Sequence, residues 1–229
     1  MVGKIKQFHD YESLSSWAYE HFKKRYIEKT EKGNPFFIAF SGGTSPEGFW
    51  AVMSKDRHTT WRHLHIFFVD ERAVPHDSQH SNYRLLREKL LKNINIPGRQ
   101  IFPIQYLPEP EESARRYENT LKESLTDGVF DLIVAGVGQD GHIASIFPES
   151  ETIKIIDRLV VPVYNSPIAP RITLTLPVFW KAREVLLILS GEKKKEALLK
   201  IMDNSVDESI CPAKAVLKRN NALLLTDIN

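Results

Sequence analysis

Cysteine is almost absent from this chain of 229 residues, with Cys211 standing alone. A single thiol excludes an internal disulfide and any metal site built from several cysteines. Charge of one sign is also scarce. Lys and Arg number 31 against 29 Asp and Glu, a formal net charge of +2. A nucleic-acid-binding domain usually carries a clear basic excess to neutralise phosphates, so no nucleic-acid partner is expected. No apolar run approaches the roughly 20 residues that span a bilayer. The stretch from Met1 to Asp10 lacks the apolar core of a signal peptide. Repeats of fixed period and low-complexity segments are missing too. These absences predict a soluble, cytoplasmic protein with no membrane or nucleic-acid partner.

What is present fits one packed domain over residues 1–229. The chain is 42% hydrophobic, too apolar for disorder, and its length allows roughly 70% of the unfolded surface to be buried. Pro35 to Phe40 (PFFIAF), His65 to Val69 (HIFFV) and Phe130 to Ala135 (FDLIVA) are short continuous apolar runs. Such runs are expected of strands buried on both faces. Leu159 to Val163, Val185 to Leu189 and Ala222 to Leu225 read as further strands. Helical spacing with charged outer faces marks Glu47 to Ser54, Tyr83 to Asn93, Glu111 to Leu125 and Lys193 to Met202. Strand and helix in alternation predict an α/β fold, a Rossmann-like and mostly parallel sheet with helices on both faces. Ligands bind such sheets beyond the carboxyl ends of the strands.

Three strand ends carry candidate chemistry. The first run leads into Ser41-Gly42-Gly43-Thr44-Ser45-Pro46, glycines and hydroxyls directly before a helix. Gly42 and Gly43 allow close backbone approach to an anion. Thr44 and Glu47 have capping-box spacing, and Pro46 suits a first helical turn. The pattern reads as a phosphate-binding turn. It is no nucleotide P-loop, because Phe49 and Trp50 stand where Lys and Ser/Thr are required. The second run ends in Asp70-Glu71-Arg72, whose side chains project toward the same crevice.

The third run ends in Gly136-Val137-Gly138-Gln139-Asp140-Gly141-His142. Its glycines match G-x-G-x-x-G, yet a dinucleotide site is rejected. Pro148 interrupts the helix that should follow, and Asp140 and His142 would occupy the place of the pyrophosphate. A carboxylate two residues from a histidine reads as acid–base machinery instead. Arg171, before Ile172-Thr173-Leu174-Thr175, and Lys194, after Gly191, are candidate anion-binding cations. His76 and His80, or His63 and His65, lack a third metal ligand of comparable context. No G-x-S-x-G supports a serine hydrolase.

Taken in order, SGGTSP (Ser41 to Pro46), DERAVP (Asp70 to Pro75), Ser81-Asn82, GVGQDGHIASIFP (Gly136 to Pro148), RITLT (Arg171 to Thr175) and G-x-x-K (Gly191 to Lys194) make a set. It resembles the 6-phosphogluconolactonases, which share a Rossmann-like fold with glucosamine-6-phosphate deaminase. The deaminase pattern continues Asp-Gly-His into Phe-Asn-Glu-Pro, and here Phe147 takes the place of that glutamate. Arg72 likewise replaces an aromatic residue. Both departures favour the lactonase. A non-catalytic sugar-phosphate sensor is a third possibility, set against the retained Asp140 and His142.

The resemblance implies hydrolysis of 6-phospho-D-glucono-1,5-lactone to 6-phospho-D-gluconate in the oxidative pentose phosphate pathway, coupled to glucose-6-phosphate dehydrogenase. Neither metal nor organic cofactor is implied. His142 is the implied general base and acid, Asp140 its orienter and Arg72 an oxyanion donor. Ser41, Gly42, Gly43, Thr44, Ser45, Arg171 and Lys194 are assigned to the phosphate. Asp70 and Glu71 are assigned to substrate binding, either on sugar hydroxyls or through Arg72.

Overall fold

The computed structural model describes residues 4–228. In chain order the elements are β1 (Lys4–Gln7), α1 (Tyr11–Thr30), β2 (Phe36–Phe40), α2 (Glu47–Met53), β3 (Leu64–Phe68), β4 (Asp70–Arg72) and α3 (Asn82–Leu86). Next come β5 (Ile101–Phe102), α4 (Pro110–Ser124), β6 (Leu132–Gly136), β7 (Val160–Val163) and β8 (Arg171–Leu174). The chain closes with α5 (Leu176–Lys181), β9 (Val185–Leu189), α6 (Lys195–Met202), α7 (Ala213–Leu217) and β10 (Ala222–Thr226).

Seven strands form one sheet in the order β1-β10-β9-β6-β2-β3-β5, every pair parallel. All five residues of β2 and of β9 are buried, as their unbroken apolar runs require. After β2 the chain builds outward through β3 and β5. It then returns to place β6 on the other flank of β2 and builds outward again through β9 and β10. The direction of winding therefore switches between β2 and β6. At such a point the two crossovers part and leave a crevice at the carboxyl ends of the strands.

Short elements β1, β5, α5 and α7 are absent from the sequence reading, and three larger features depart from it. The twenty-residue α1 has no counterpart in it. Its inward stripe is Leu14, Ala18, Tyr19, Phe22 and Tyr26, in which two tyrosines interrupt the apolar signal. Their hydroxyls find partners, Tyr26 on Thr60 O at 2.6 Å and Tyr19 on the Asp56 carboxylate. The predicted helix Tyr83 to Asn93 is split into α3 and a π turn, Arg87–Leu91. Finally, β4, β8 and β7 leave the parallel sheet and make a separate antiparallel one. Asp70-Glu71-Arg72 is thus a strand, because Val69 carries the chain straight from β3 into the second sheet. In register, Arg72 lies opposite Arg171.

Candidate active site

The crevice at the switch point is a cavity of about 250 Å³, and residues from all the predicted loops line it. That volume lies at the small end of ligand cavities.

The 41–46 loop is held from three sides. Ser41 Oγ accepts the Gly136 N–H at 2.8 Å, tying the ends of β2 and β6 together. Ser45 Oγ accepts from Lys194 Nζ at 2.7 Å, and Lys194 also donates to Val137 O at 2.7 Å. From α1, the Tyr11 hydroxyl reaches Thr44 O at 3.0 Å and Ser45 O at 2.9 Å while accepting the Gly48 N–H at 2.7 Å. Tyr11 is a supporting residue that the sequence reading missed. Gly43 has φ +80°, open to glycine at no steric cost. The predicted capping box does not form. Pro46 occupies the N-cap position without a side-chain bond, so the helix starts at Glu47 and Thr44 meets it only through its carbonyl at 3.2 Å. The Thr44 hydroxyl is left to the cavity.

The segment directly after β6, Val137 to Ile146, is not helical. Val137 bridges to Ile143 and Ile143 to Ile146, a compact loop that bears the histidine. Its glycines have packing reasons. A side chain on Gly138 would overlap the His142 ring, and Gly141, at φ +93°, faces Cys211 Sγ. His142 Nδ1 lies 2.6 Å from Asp140 Oδ1, and the same oxygen accepts the His142 N–H at 3.1 Å. A carboxylate can only accept, so Nδ1 carries a hydrogen, and in the neutral ring Nε2 keeps its lone pair. Burial alone would raise the Asp140 carboxyl, but its bond to His142 and the histidine charge hold it at about 2. Asp140 therefore stays ionised. Phe147 stands between chemistry and charge, its ring 5.0 Å from the His142 ring and 5.5 Å from the Arg171 guanidinium.

Asp70, 4% exposed, opens β4 at the junction of the two sheets. It accepts from Ser145 Oγ at 2.6 Å and from Asn82 Nδ2 at 3.3 Å, with Arg171 Nη1 at 3.7 Å. Burial lowers the Arg171 pKa, Asp70 opposing the shift and Arg72 adding to it. Like charges directly opposite on paired strands are unfavourable. Yet Arg72 and Arg171 face the same cavity, and the Nε of each is buried with no hydrogen-bond partner. Unmatched cationic donors of this kind mark a place for an anion. Burial also lowers the Lys194 pKa, against the pull of Asp227.

Of the predicted residues, Ser41, Gly42, Gly43, Thr44, Ser45, Asp70, Arg72, His142, Arg171 and Lys194 line the cavity, with Asp140 behind His142. Of the two roles expected of Glu71, contact with sugar hydroxyls is the correction, while its bond to Arg72 N fits the other. Glu71 is 2% exposed and does not reach the cavity. Its oxygens already accept from Arg72 N at 2.8 Å, Asn82 N at 2.7 Å, Tyr83 N at 2.8 Å and Ser81 Oγ at 2.9 Å. Four bonds leave it nothing for a sugar hydroxyl. Burial nonetheless raises its pKa, opposed by those bonds. Of the histidines weighed as metal ligands, His76 is engaged with Ile104 O at 2.8 Å. Among the described residues no group of three His, Cys, Asp or Glu converges to hold a metal ion.

The family described as glucosamine-6-phosphate isomerases/6-phosphogluconolactonase matches residues 9–225 of the chain. A 6-phosphogluconolactonase of Synechocystis is 34% identical over 196 residues, covering 83% of this chain and 81% of that one. The rabbit (Oryctolagus cuniculus) GDH/6PGL endoplasmic bifunctional protein is 30% identical over 207 residues, 86% of this chain but 26% of that protein. Among solved structures, 6-phosphogluconolactonase of Thermotoga maritima superposes with a TM-score of 0.86 at 27% identity, covering 99% of each chain.

Proposed function

The chain belongs to the glucosamine-6-phosphate isomerase/6-phosphogluconolactonase family, and we propose that it hydrolyses 6-phospho-D-glucono-1,5-lactone to 6-phospho-D-gluconate. One observation carries this reading: an Asp140-oriented His142 faces the cavity that holds the unmatched donors of Arg72 and Arg171. Base and anion site share one small space.

The phosphate lies against the 41–46 loop, Lys194 and Arg171, which supply binding energy remote from the reacting carbon. His142 Nε2 takes a proton from a water as its oxygen attacks the lactone carbonyl. The carbonyl π pair moves onto oxygen, where Arg72 stabilises the charge. On collapse the C–O bond to the ring oxygen breaks, and imidazolium returns its proton to that oxygen. The net change adds one water. Asp140 keeps Nδ1 protonated and stabilises the cation that His142 becomes.

The deaminase reading needs a carboxylate where Phe147 packs between His142 and Arg171. An apolar ring supplies no proton for ring opening. As in the sequence reading, the reaction sits in the oxidative pentose phosphate pathway beside glucose-6-phosphate dehydrogenase. The two activities named together in the rabbit relative support a coupling of this kind. A cytoplasmic location accords with the free, buried Cys211, and among the described residues no helix is long and apolar enough to cross a membrane.

The test pairs two assays. Lactone generated by glucose-6-phosphate dehydrogenase should open far faster with the protein than without it. Glucosamine 6-phosphate should release no ammonia. Ammonia release without lactone opening would reverse the assignment.

A further inference from the structure

Asn82 is 2% exposed, an unusual place for an amide side chain, and neither the acid–base pair nor the anion-binding groups account for it. Both ends of the amide are engaged. Nδ2 donates to Asp70 O at 2.8 Å and toward Asp70 Oδ1 at 3.3 Å. That leaves Oδ1 as the acceptor, and Arg72 Nη1 donates to it. The partners fix this orientation, since a carbonyl only accepts and a guanidinium only donates.

The main chains are fixed together as well. Glu71 Oε1 accepts the N–H of Arg72 at 2.8 Å and of Asn82 at 2.7 Å. Gly42 completes the fit, for a Cβ at that position would overlap the Asn82 amide. The guanidinium of Arg72 is therefore gripped at Nη1 while Nε stays without a protein partner.

We infer that Asn82 is a positioning residue that aims Arg72 into the cavity. The inference rests on the lactone-hydrolase reading, because the charge Arg72 is aimed at develops in that reaction. A free arginine explores many rotamers. Fixing one before the substrate arrives removes the ordering step from the path to the transition state. Arg72 and Asn82 should then behave as a unit.

A double-mutant cycle on the full chain tests this. Arg72→Ala should lower kcat about 100-fold. Asn82→Ala should lower kcat about 10- to 30-fold and change KM by less than about threefold. In the double variant, Asn82→Ala should add less than about a further twofold, because the residue it serves is gone. Asn82→Ser keeps a polar group in the buried position and should show the same kcat loss, so it replaces Asn82→Ala in the cycle if the alanine variant does not fold. Losses that multiply, or an Asn82 variant with unchanged kcat, overturn the inference. A wild-type chain that does not open the lactone overturns the functional reading and this inference with it, whereas multiplying losses in an active enzyme overturn this inference alone.

Discussion

The parallel sheet has a buried aspartate at each end, and the two are partnered in opposite ways. Asp131, at the amino end of β6, is 2% exposed. It accepts the Phe37 N–H at 2.8 Å and Lys29 Nζ at 2.6 and 2.7 Å, with Arg183 Nε at 3.3 Å. Its charge is matched entirely by protein. At the carboxyl end, Asp70 meets Ser145 and Asn82, but its cation Arg171 stands off at 3.7 Å. Two guanidinium Nε atoms are left over there. Cavity size does not distinguish the ends: hollows of about 390 and 470 Å³ lie around residues 56–63, near the amino end. Two unmatched guanidinium donors facing one cavity do. Other buried polar atoms lack partners too, Arg87 Nε and Trp50 Nε1 among them, but Arg72 and Arg171 line one cavity together, where a guest can complete the set.

Substitutions can break that contrast. Asp131→Ala strands Lys29 and the Phe37 N–H, and should remove about 3 kcal/mol or more of unfolding free energy, read by urea titration. Its kcat/KM should stay within about twofold of wild type. A large loss of activity at unchanged stability would erase the distinction between the ends. His142→Ala should do the reverse. We expect kcat to fall at least about 100-fold, close to 2.7 kcal/mol, with an unchanged melting temperature and phosphosugar binding intact. Near-normal turnover would defeat the acid–base assignment. Arg171→Ala should raise KM about tenfold or more, since it removes charged donors from the phosphate. It relieves Arg72 of a like-charged neighbour but also takes the cation from buried Asp70, so stability should fall as well. An unchanged KM would remove Arg171 from the anion site.

The sequence was most legible where one residue run decides its own environment. The continuous apolar runs of β2, β3 and β6 announce buried strands, and the glycine-rich or charged segments at their ends line the cavity. Lys194 is likewise placed on Ser45 and Val137 O. Legibility failed where a role depends on a distant partner. Glu71 looked available to a sugar until Ser81, Asn82 and Tyr83 were folded against it. The pairing of Arg72 with Arg171 arises only because β4 and β8, far apart in the chain, share a sheet. Phe147 could be recognised as a departure from the deaminase pattern, but its place between His142 and Arg171 belongs to the tertiary structure. Helix α1 was hidden by its tyrosines, each polar in a list and apolar in its packing.

The smallest effect expected is a proton. Lys29 at the amino end has its carboxylate at 2.6 Å, whereas Lys194 is half-buried at the cavity with neutral oxygens at 2.7 Å. Burial lowers its pKa from the ordinary value, with Asp227 opposing. A phosphate dianion placed against the ammonium favours the charged form and moves that pKa back up. Binding of 6-phosphogluconate must then take up a proton in the interval between the two pKa values. Below that interval lysine is charged in both states, so there is no uptake. As pH climbs through it, the free protein gives up its proton first, and affinity falls by at most about tenfold per pH unit. Calorimetry in buffers of different ionisation enthalpy, at pH values below the ordinary lysine value of about 10.4, reads the uptake directly. Lys194→Arg keeps a cation whose pKa lies beyond this range, so it should bind with no proton uptake and a flat pH profile. Equal uptake in the arginine variant would assign the proton to another group and leave Lys194 an ordinary cation at the rim of the cavity.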